Sequence, residues 1–371
     1  MLILLIIPSL YFIVILFFLF GWQKLKISNE KVVEFEVISV VVAAKNEEEN
    51  ILNLLNDIVK QNYPLEKFEL ILIDDNSSDE TYNIAFEFQK THKNFKLLKN
   101  QLLSGKKSAI NFGIENSMGK LIVTIDADCR VGESWLSEIN KFYSQTKAKM
   151  IIAPVVFSTN KKIFSFDNFQ ALEFLSLQAS TAGAVGINSP IMCNGANLIF
   201  EKTVFSEFEN PHKKEIESGD DMFLMLNIKK RYPNQIKYLK HKDAIVTTKP
   251  TENIKQFVNQ RIRWASKSAF YKDFFVNFTG IIVFVMNISV LSAFIGAILK
   301  LFSWDYFLLF FTAKTIVDFP LLFTVSKFYS MRRLMFLFLP LQIIYPIYVV
   351  VIGFLSFFVK TKWKKTTDNK Q

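Results

Sequence analysis

Four long apolar runs constrain this chain more than any other feature: Leu2 to Trp22, Phe274 to Leu301, Trp304 to Phe328, and Leu334 to Val359. Each is long enough to cross about 30 Å of hydrocarbon as a helix, where roughly twenty residues suffice. Inside a bilayer, backbone N–H and C=O groups must be satisfied within the segment, and uninterrupted apolar runs without alternation do that as helices. Half of the residues are hydrophobic, 39 of them Phe, and they crowd toward the two ends. The expected layout is therefore a transmembrane helix over 1–23, a polar middle domain over 24–272, three transmembrane or membrane-embedded helices over 273–360, and a basic tail over 361–371. No basic residue precedes the first run and no small-residue cleavage site follows it, so it reads as a retained anchor. In the third run Lys314 and Asp318 stand four apart, on one helix face, where each neutralises the other.

Lys24, Lys26 and Lys31 follow the first run, and basic residues recur through the middle region, which places that region on the cytoplasmic side of a cell (inner) membrane. Three further crossings would then carry Lys360 to Lys365 outside, against the same rule. Pro340 and Pro346 interrupt the last run, so a re-entrant or interfacial course is the alternative to spanning. The net charge of +10 comes from lysines spread over a membrane-tethered body. Anionic headgroups and phosphorylated substrates account for it more simply than nucleic acid, for which no partner role is expected. Two cysteines, Cys129 and Cys193, make no disulfide framework, and three histidines make no Cys/His metal site. Both facts fit a reducing compartment.

From about Val37 to Tyr271, short β-branched runs alternate with helical stretches, as in an α/β domain with a largely parallel sheet. Strands are expected at Val37–Ala43, Phe68–Ile73, Phe95–Leu98 and Lys120–Ile125. Asn46 is positioned to cap a helix carrying Ile51, Leu54, Leu55 and Ile58 on one face. Ligands in such sheets bind past the C-terminal ends of the strands. Lys45-Asn46-Glu47, Asp74 to Asp79 and Asp126-Ala127-Asp128 all fall there and should share one rim. Two carboxylates one residue apart can hold a hard divalent cation, and that cation a diphosphate. There is no Gly-x-Gly-x-x-Gly after the first strand and no P-loop, which argues against a dinucleotide enzyme or a P-loop NTPase.

Together the segments Val40 to Glu48, Ile73 to Thr81, Gly105 to Asn111, Asp126-Ala127-Asp128, Gly219-Asp220-Asp221 and Gln260-Arg261-Ile262-Arg263-Trp264 resemble glycosyltransferase family 2, the inverting enzymes of GT-A fold. The resemblance implies a Rossmann-like, mostly parallel α/β GT-A domain beside the α-helical transmembrane segments. It implies donor contacts from Ala44, Asn46, Glu47, Asp75, Lys106, Asp126 and Asp128. Mg²⁺ or Mn²⁺ would sit on Asp128, with Asp126 beside it. Asp221 stands at the family's general base, Asp220 beside it at the helix start, and Gly195 and Asn197 on the acceptor side. Gln260, Arg263 and Trp264 would serve the diphosphate and acceptor. Arg and Trp just before a membrane run are also what positive-inside and interfacial belts supply, but a belt does not require Gln260. Ala43 replaces a frequent Pro, and Gly219 leaves the base less side-chain support.

The resulting expectation is a membrane-bound inverting glycosyltransferase that moves a sugar from a nucleotide diphosphate donor, a UDP-sugar foremost, to a lipid, lipid-linked or glycan acceptor at the cytoplasmic leaflet. Two alternatives stand beside it. One is a processive synthase of a β-linked cell-surface polysaccharide, disfavoured by the small number of apolar runs. The other is a non-catalytic membrane scaffold, which loss of Asp126, Asp128 or Asp221 would have marked.

Overall fold

The computed structural model describes residues 2–26, 34–100, 105–208 and 220–358. Lys31, Gly219 and the basic tail at 361–371 lie outside the described residues, as does the side chain of Asp220. Among the described residues between the apolar runs there are nine strands: β1 (Ile38–Ala44), β2 (Phe68–Asp74), β3 (Phe95–Lys99), β4 (Leu121–Asp126), β5 (Met150–Ile152), β6 (Val155–Phe157), β7 (Leu198–Glu201), β8 (Ile236–Tyr238) and β9 (Val246–Thr248). Seven of them form one sheet in the order β3-β2-β1-β4-β7-β5-β8, and β6 pairs with β9 in a second, two-stranded sheet. β1 pairs in parallel with β2 and β4, and β2 with β3, while β7 runs antiparallel to β4 and β5.

β1 and β2 are buried along their whole length. That is why they read as continuous apolar runs: helices cover both faces of a parallel sheet. Register then sets the rim. Ala43 pairs with Ile73 on one side and Asp126 on the other, and Ala44 with Asp74, so the three expected polar turns leave the sheet at one level.

The flanking helices are α2 (Ile51–Val59), α3 (Thr81–Gln89), α4 (Lys106–Glu115) and α5 (Trp135–Thr146), with α1 (Leu2–Lys24) preceding them all. In α2 the buried residues are Ile51, Leu54, Leu55 and Ile58, the face read from the sequence. α4 lies so close on the sheet that a Cβ on Gly113 would stand 2.5 Å from Ile73 Cδ1 and 2.6 Å from Val41 Cγ1. The cap reading for Asn46 needs correction. Asn50 is the N-cap of α2, and Asn46 instead takes a left-handed backbone (φ 54°) with its Oδ1 accepting from the Ser78 amide at 2.8 Å. Asn tolerates that conformation, and the contact stitches the β1 turn to the β2 turn.

The rest of the chain joins this domain to the membrane helices: α6 (Phe166–Gly186), α7 (Lys202–Phe208), α8 (Asp220–Arg231), α9 (Ile254–Ser266), α10 (Phe274–Ile298), α11 (Trp304–Phe328) and α12 (Phe338–Phe358). Among the described residues, four helical segments are long and apolar enough to cross a membrane: α1, α10, α11 and Arg332–Ser356, which takes in most of α12. α1 packs on α6 at backbone distance, because Gly21, Gly183 and Gly186 meet there; a Cβ on Gly183 would stand 2.3 Å from Phe18 O. Small residues permit that approach. Within the helices, the Lys314 ammonium donates to Asp318 and Gln342 at 2.6 Å each, and Tyr11 donates to Asp318 at 2.7 Å. The sequence pair Lys314 and Asp318 is thus present and ties α1, α11 and α12 together.

Candidate active site

Three carboxylates mark the rim. Asp126 ends β4 and forms an ion pair with the Lys106 ammonium from the first turn of α4. Asp128 follows in the turn, where its Oδ2 accepts the Thr248 hydroxyl at 3.1 Å. Thr248 sits at the end of β9, and β9 is held beside this turn by the paired backbones of Arg130 and Thr247. Burial raises the Asp128 acid above the ordinary carboxylate range, and the charges of Asp126 and Glu47 raise it further. Lys106 loses hydration, but Asp126, then Asp221 and Asp128, hold its ammonium above the usual lysine value. Lys106 therefore feels all three aspartates.

Asp221, which the family resemblance puts at the base position, lies in the first turn of α8. Its Oδ2 accepts from the Gly195 amide at 3.2 Å and its Oδ1 from its own helix at Met222 N, 2.9 Å. Gly195 is in turn fixed to the sheet by Thr124, whose hydroxyl donates to Gly195 O at 2.7 Å. Tyr271 and Cys193 neighbour the same carboxylate: burial first, then the Asp221 charge, pushes both acids up. Asn197 is wholly buried and its amide is consumed inside the protein, donating to Pro154 O and Ala244 O and accepting from Trp135 Nε1.

Asp75, just past the end of β2, is fully buried. It accepts from the Gly105 amide at 3.0 Å and Asn100 Nδ2 at 2.8 Å, with Lys45 Nζ at 3.8 Å. Its backbone amide donates to Ala44 O, which locks the ends of β1 and β2 together. A nucleotide base reaching this carboxylate would displace one of those donors. Glu47 donates its amide to Thr81 Oγ1 at 2.7 Å, so the β1 turn is anchored to α3.

Gln260, Arg263 and Trp264 all lie on α9. Burial pulls the Arg263 guanidinium below its usual range and the charge of Asp126 draws it back; its backbone carbonyl accepts from the Ser266 hydroxyl at 3.1 Å, and among the described residues its guanidinium has no hydrogen-bond partner. Trp264 carries the Arg261 guanidinium over its ring at 4.3 Å. Arg261 is the residue the sequence reading passed over. It is 3% exposed, forms a two-pronged ion pair with Glu173 of α6, and hydrogen-bonds Gln260 Oε1. Tyr348 of α12 donates to the same Glu173 at 3.0 Å. A glutamate inside the apolar helix α6 was the only available signal for this pair.

The donor chemistry fits a hard divalent cation. Asp126 and Asp128 offer carboxylate oxygens, and added positive charge would offset both the burial and the neighbouring charges of Asp126 and Glu47 that raise the Asp128 acid. Among the described residues no three His, Cys, Asp or Glu side chains close a metal site by themselves. Oxygens of a bound diphosphate would complete the shell, as Mg²⁺ commonly requires.

Residues 39–204 match the model of glycosyl transferase family 2. Those residues form a glycosyltransferase family 2 domain. Among its relatives, the β-monoglucosyldiacylglycerol synthase of Trichormus variabilis is 35% identical over 112 residues, 30% of this chain and 24% of that protein. The poly-β-1,6-N-acetyl-D-glucosamine synthase of Staphylococcus epidermidis is 27% identical over 239 residues, 62% of this chain and 54% of that protein. The chain thus spans about half or less of the length of the curated relatives it matches. A mannosyltransferase from Pyrobaculum calidifontis, solved with GDP-Man and Mn²⁺, superposes at TM-score 0.62 with 16% identity, covering 95% of this chain and 98% of the other. That likeness establishes the GT-A-type fold. Gln260 to Trp264 lie beyond the residues matched by the family model.

Proposed function

We propose that this membrane-associated glycosyltransferase domain moves a sugar from a nucleotide diphosphate donor, a UDP-sugar foremost, to a hydroxyl of a lipid or lipid-linked acceptor, with inversion and with Asp221 as general base. The observation that carries this is the placement of Asp221 against Gly195, within electrostatic reach of the Lys106 that pairs with Asp126. Base and donor-side carboxylates thereby come within reach of one lysine, while α6 packs on α1 and α9 on α12. The lipid glycosyltransferase among the relatives supports the acceptor class.

In this reading the donor diphosphate lies over Asp126 and Asp128, where Mg²⁺ or Mn²⁺, when bound, supplies charge neutralisation to the leaving group. Lys106 and Arg263 add fixed positive charge on the same side, which favours the nucleoside diphosphate as it departs. Asp221 accepts the acceptor's proton as the new C–O bond forms, since a hydroxyl is far too weak an acid to ionise beforehand. The Gly195 amide holds the Asp221 carboxylate in place. Lys24 at the end of α1 and Lys26 just after it support a catalytic domain on the cytoplasmic leaflet.

The synthase relative, matched over more of this chain, favours a second reading: repeated transfer to a growing β-linked polymer. Membranes incubated with a panel of radiolabelled nucleotide sugars, with and without diacylglycerol in mixed micelles, separate the two. Label extracted into organic solvent supports the lipid acceptor; label retained in a polymer supports the synthase. No incorporation from any donor would contradict both and favour the scaffold.

A further inference from the structure

The three helices α1, α10 and α11 share a common end. Phe18 meets Phe275 at 6.4 Å and Trp22 meets Phe328 at 5.3 Å between ring centroids. The same end is bound to the catalytic domain: Lys229 of α8 pairs with Asp273, Tyr238 of β8 bonds Tyr329 at 2.9 Å, and Lys240 donates to Trp22 O at 2.8 Å. This defines a level from which depth along the helices is counted at about 1.5 Å per residue.

Asp318 then lies roughly 15 Å deeper than Phe328, Lys314 roughly 21 Å, and Tyr11 roughly 16 Å from Trp22. These residues hydrogen-bond together, so the scale is consistent across α1 and α11. Gln342, near the start of α12, bonds both Lys314 and Asp318 and shares that level. Eleven residues later Gly353 abuts the Phe284 ring and Phe354 meets it at 6.0 Å. Phe284 lies only roughly 14 Å from the Phe275 level. α12 has therefore run about 16 Å along its own axis without going deeper. A crossing helix would have reached the far-end ring cluster of Phe294, Trp304 and Phe307, and among the described ring contacts no residue of α12 does.

The contacts of α12 agree. It packs on α9, α10 and the 3-10 helix Arg332–Leu337 more than on α11. Midway, Tyr348 donates to Glu173 and its ring meets Phe257 at 5.5 Å. Gln342, Tyr345 and Tyr348 recur every three residues and turn inward, while Ile343, Ile344, Ile347, Val351 and Phe354 are exposed. We propose that α12 is a re-entrant helix that returns the chain to the catalytic domain's side, and that Tyr348 on it is a positioning residue for the Gln260–Trp264 segment. The first clause removes the conflict of a basic terminus on the far side. The second follows from the chain of contacts Tyr348–Glu173–Arg261–Trp264, and it rests on the reading of Gln260, Arg263 and Trp264 as serving the diphosphate and acceptor.

Sidedness decides the first clause without any turnover. Cysteines introduced as Lys60→Cys, Leu301→Cys and Asp368→Cys are labelled with a membrane-impermeant maleimide before and after permeabilisation, the parent protein giving the background. Asp368→Cys is expected to label from the same side as Lys60→Cys and opposite to Leu301→Cys. Labelling together with Leu301→Cys would overturn the re-entrant course. For the second clause, Tyr348→Phe is assayed with diacylglycerol in mixed micelles, Tyr306→Phe at the far end serving as control. The acceptor KM is expected to rise by roughly tenfold, the factor a lost hydrogen bond to a charged group can give, with donor KM unchanged. An unmoved acceptor KM, or a lowered melting temperature without a KM change, would overturn the positioning role. Absence of transfer by the wild type would count against the reaction proposed above and leaves the sidedness result standing.

Discussion

Thr248 donates its hydroxyl to Asp128 across 3.1 Å, bringing the end of a two-stranded sheet to the acidic turn after β4. Even with that donor, burial and the charges of Asp126 and Glu47 leave the Asp128 acid raised. The fold therefore favours its protonated form. Below the ordinary carboxylate range near 3.9 both states are protonated and nothing is lost; as pH rises through the raised folded value, the forming charge costs stability. Asp128→Asn should accordingly raise the melting temperature of chelator-treated protein at neutral pH, and leave it unchanged at the acid end. A lower melting temperature at neutral pH would show that the carboxylate is stabilising.

The same buried pair of carboxylates predicts a metal requirement. EDTA should abolish sugar transfer, and Mg²⁺ or Mn²⁺ should restore it. Asp128→Asn should need much more metal for any given rate, because an amide gives up the charge that attracts the cation. Full activity in chelator would remove the metal from Asp126 and Asp128.

The Arg261–Glu173 pair is buried on both sides, at 3% and 2% exposure. Arg261→Met leaves an unpaired carboxylate in the interior and should cost about 3–5 kcal/mol. Adding Glu173→Leu to it should recover most of that loss, since replacing both charges with apolar groups is often neutral. Unfolding followed in detergent by tryptophan fluorescence measures both. A double variant no better than the single would mean the pair's geometry, and not the stranded charge, carries the stability.

Gly183 tests how the anchor holds the domain. Its Cβ position falls 2.3 Å from Phe18 O, whereas nothing stands within 4 Å of the corresponding position at Gly280. Gly183→Leu should force α1 from α6 and sharply lower the yield of folded protein from detergent, while Gly280→Leu should be close to wild type. Equal yields would show that α1 and α6 do not need their close approach.

The sheet that positions the site was legible because β1, β2 and β4 are long apolar runs followed directly by acidic turns, and register alone then aligns Asp74 with Ala44 and Asp126 with Ala43. Lys314 and Asp318 were legible for a similar reason: four residues on one helix face is local geometry. Asn46 was misread because a capping residue and a left-handed turn residue share the same short side chain, and the deciding partner, Ser78, lies on another turn. Thr248 and Arg261 went unread because their partners, Asp128 and Glu173, are distant in sequence and meet only when β9 and α6 pack. The course of α12 was open because length and hydropathy count residues and carry no direction; Tyr348 and Gly353 supply it by what they touch.

The account depends most on Asp221, and one comparison of rates tests it directly. In Asp221→Asn the amide oxygen can still accept from the Gly195 amide, so the turn and the donor side are retained while proton acceptance is lost. Transfer measured with saturating donor should fall by roughly 10² to 10⁴, the usual contribution of a general base. Binding of the nucleotide sugar, measured by calorimetry on the same preparation, should be unchanged. Turnover near wild type, or loss of donor binding in step with turnover, would place the base on another residue.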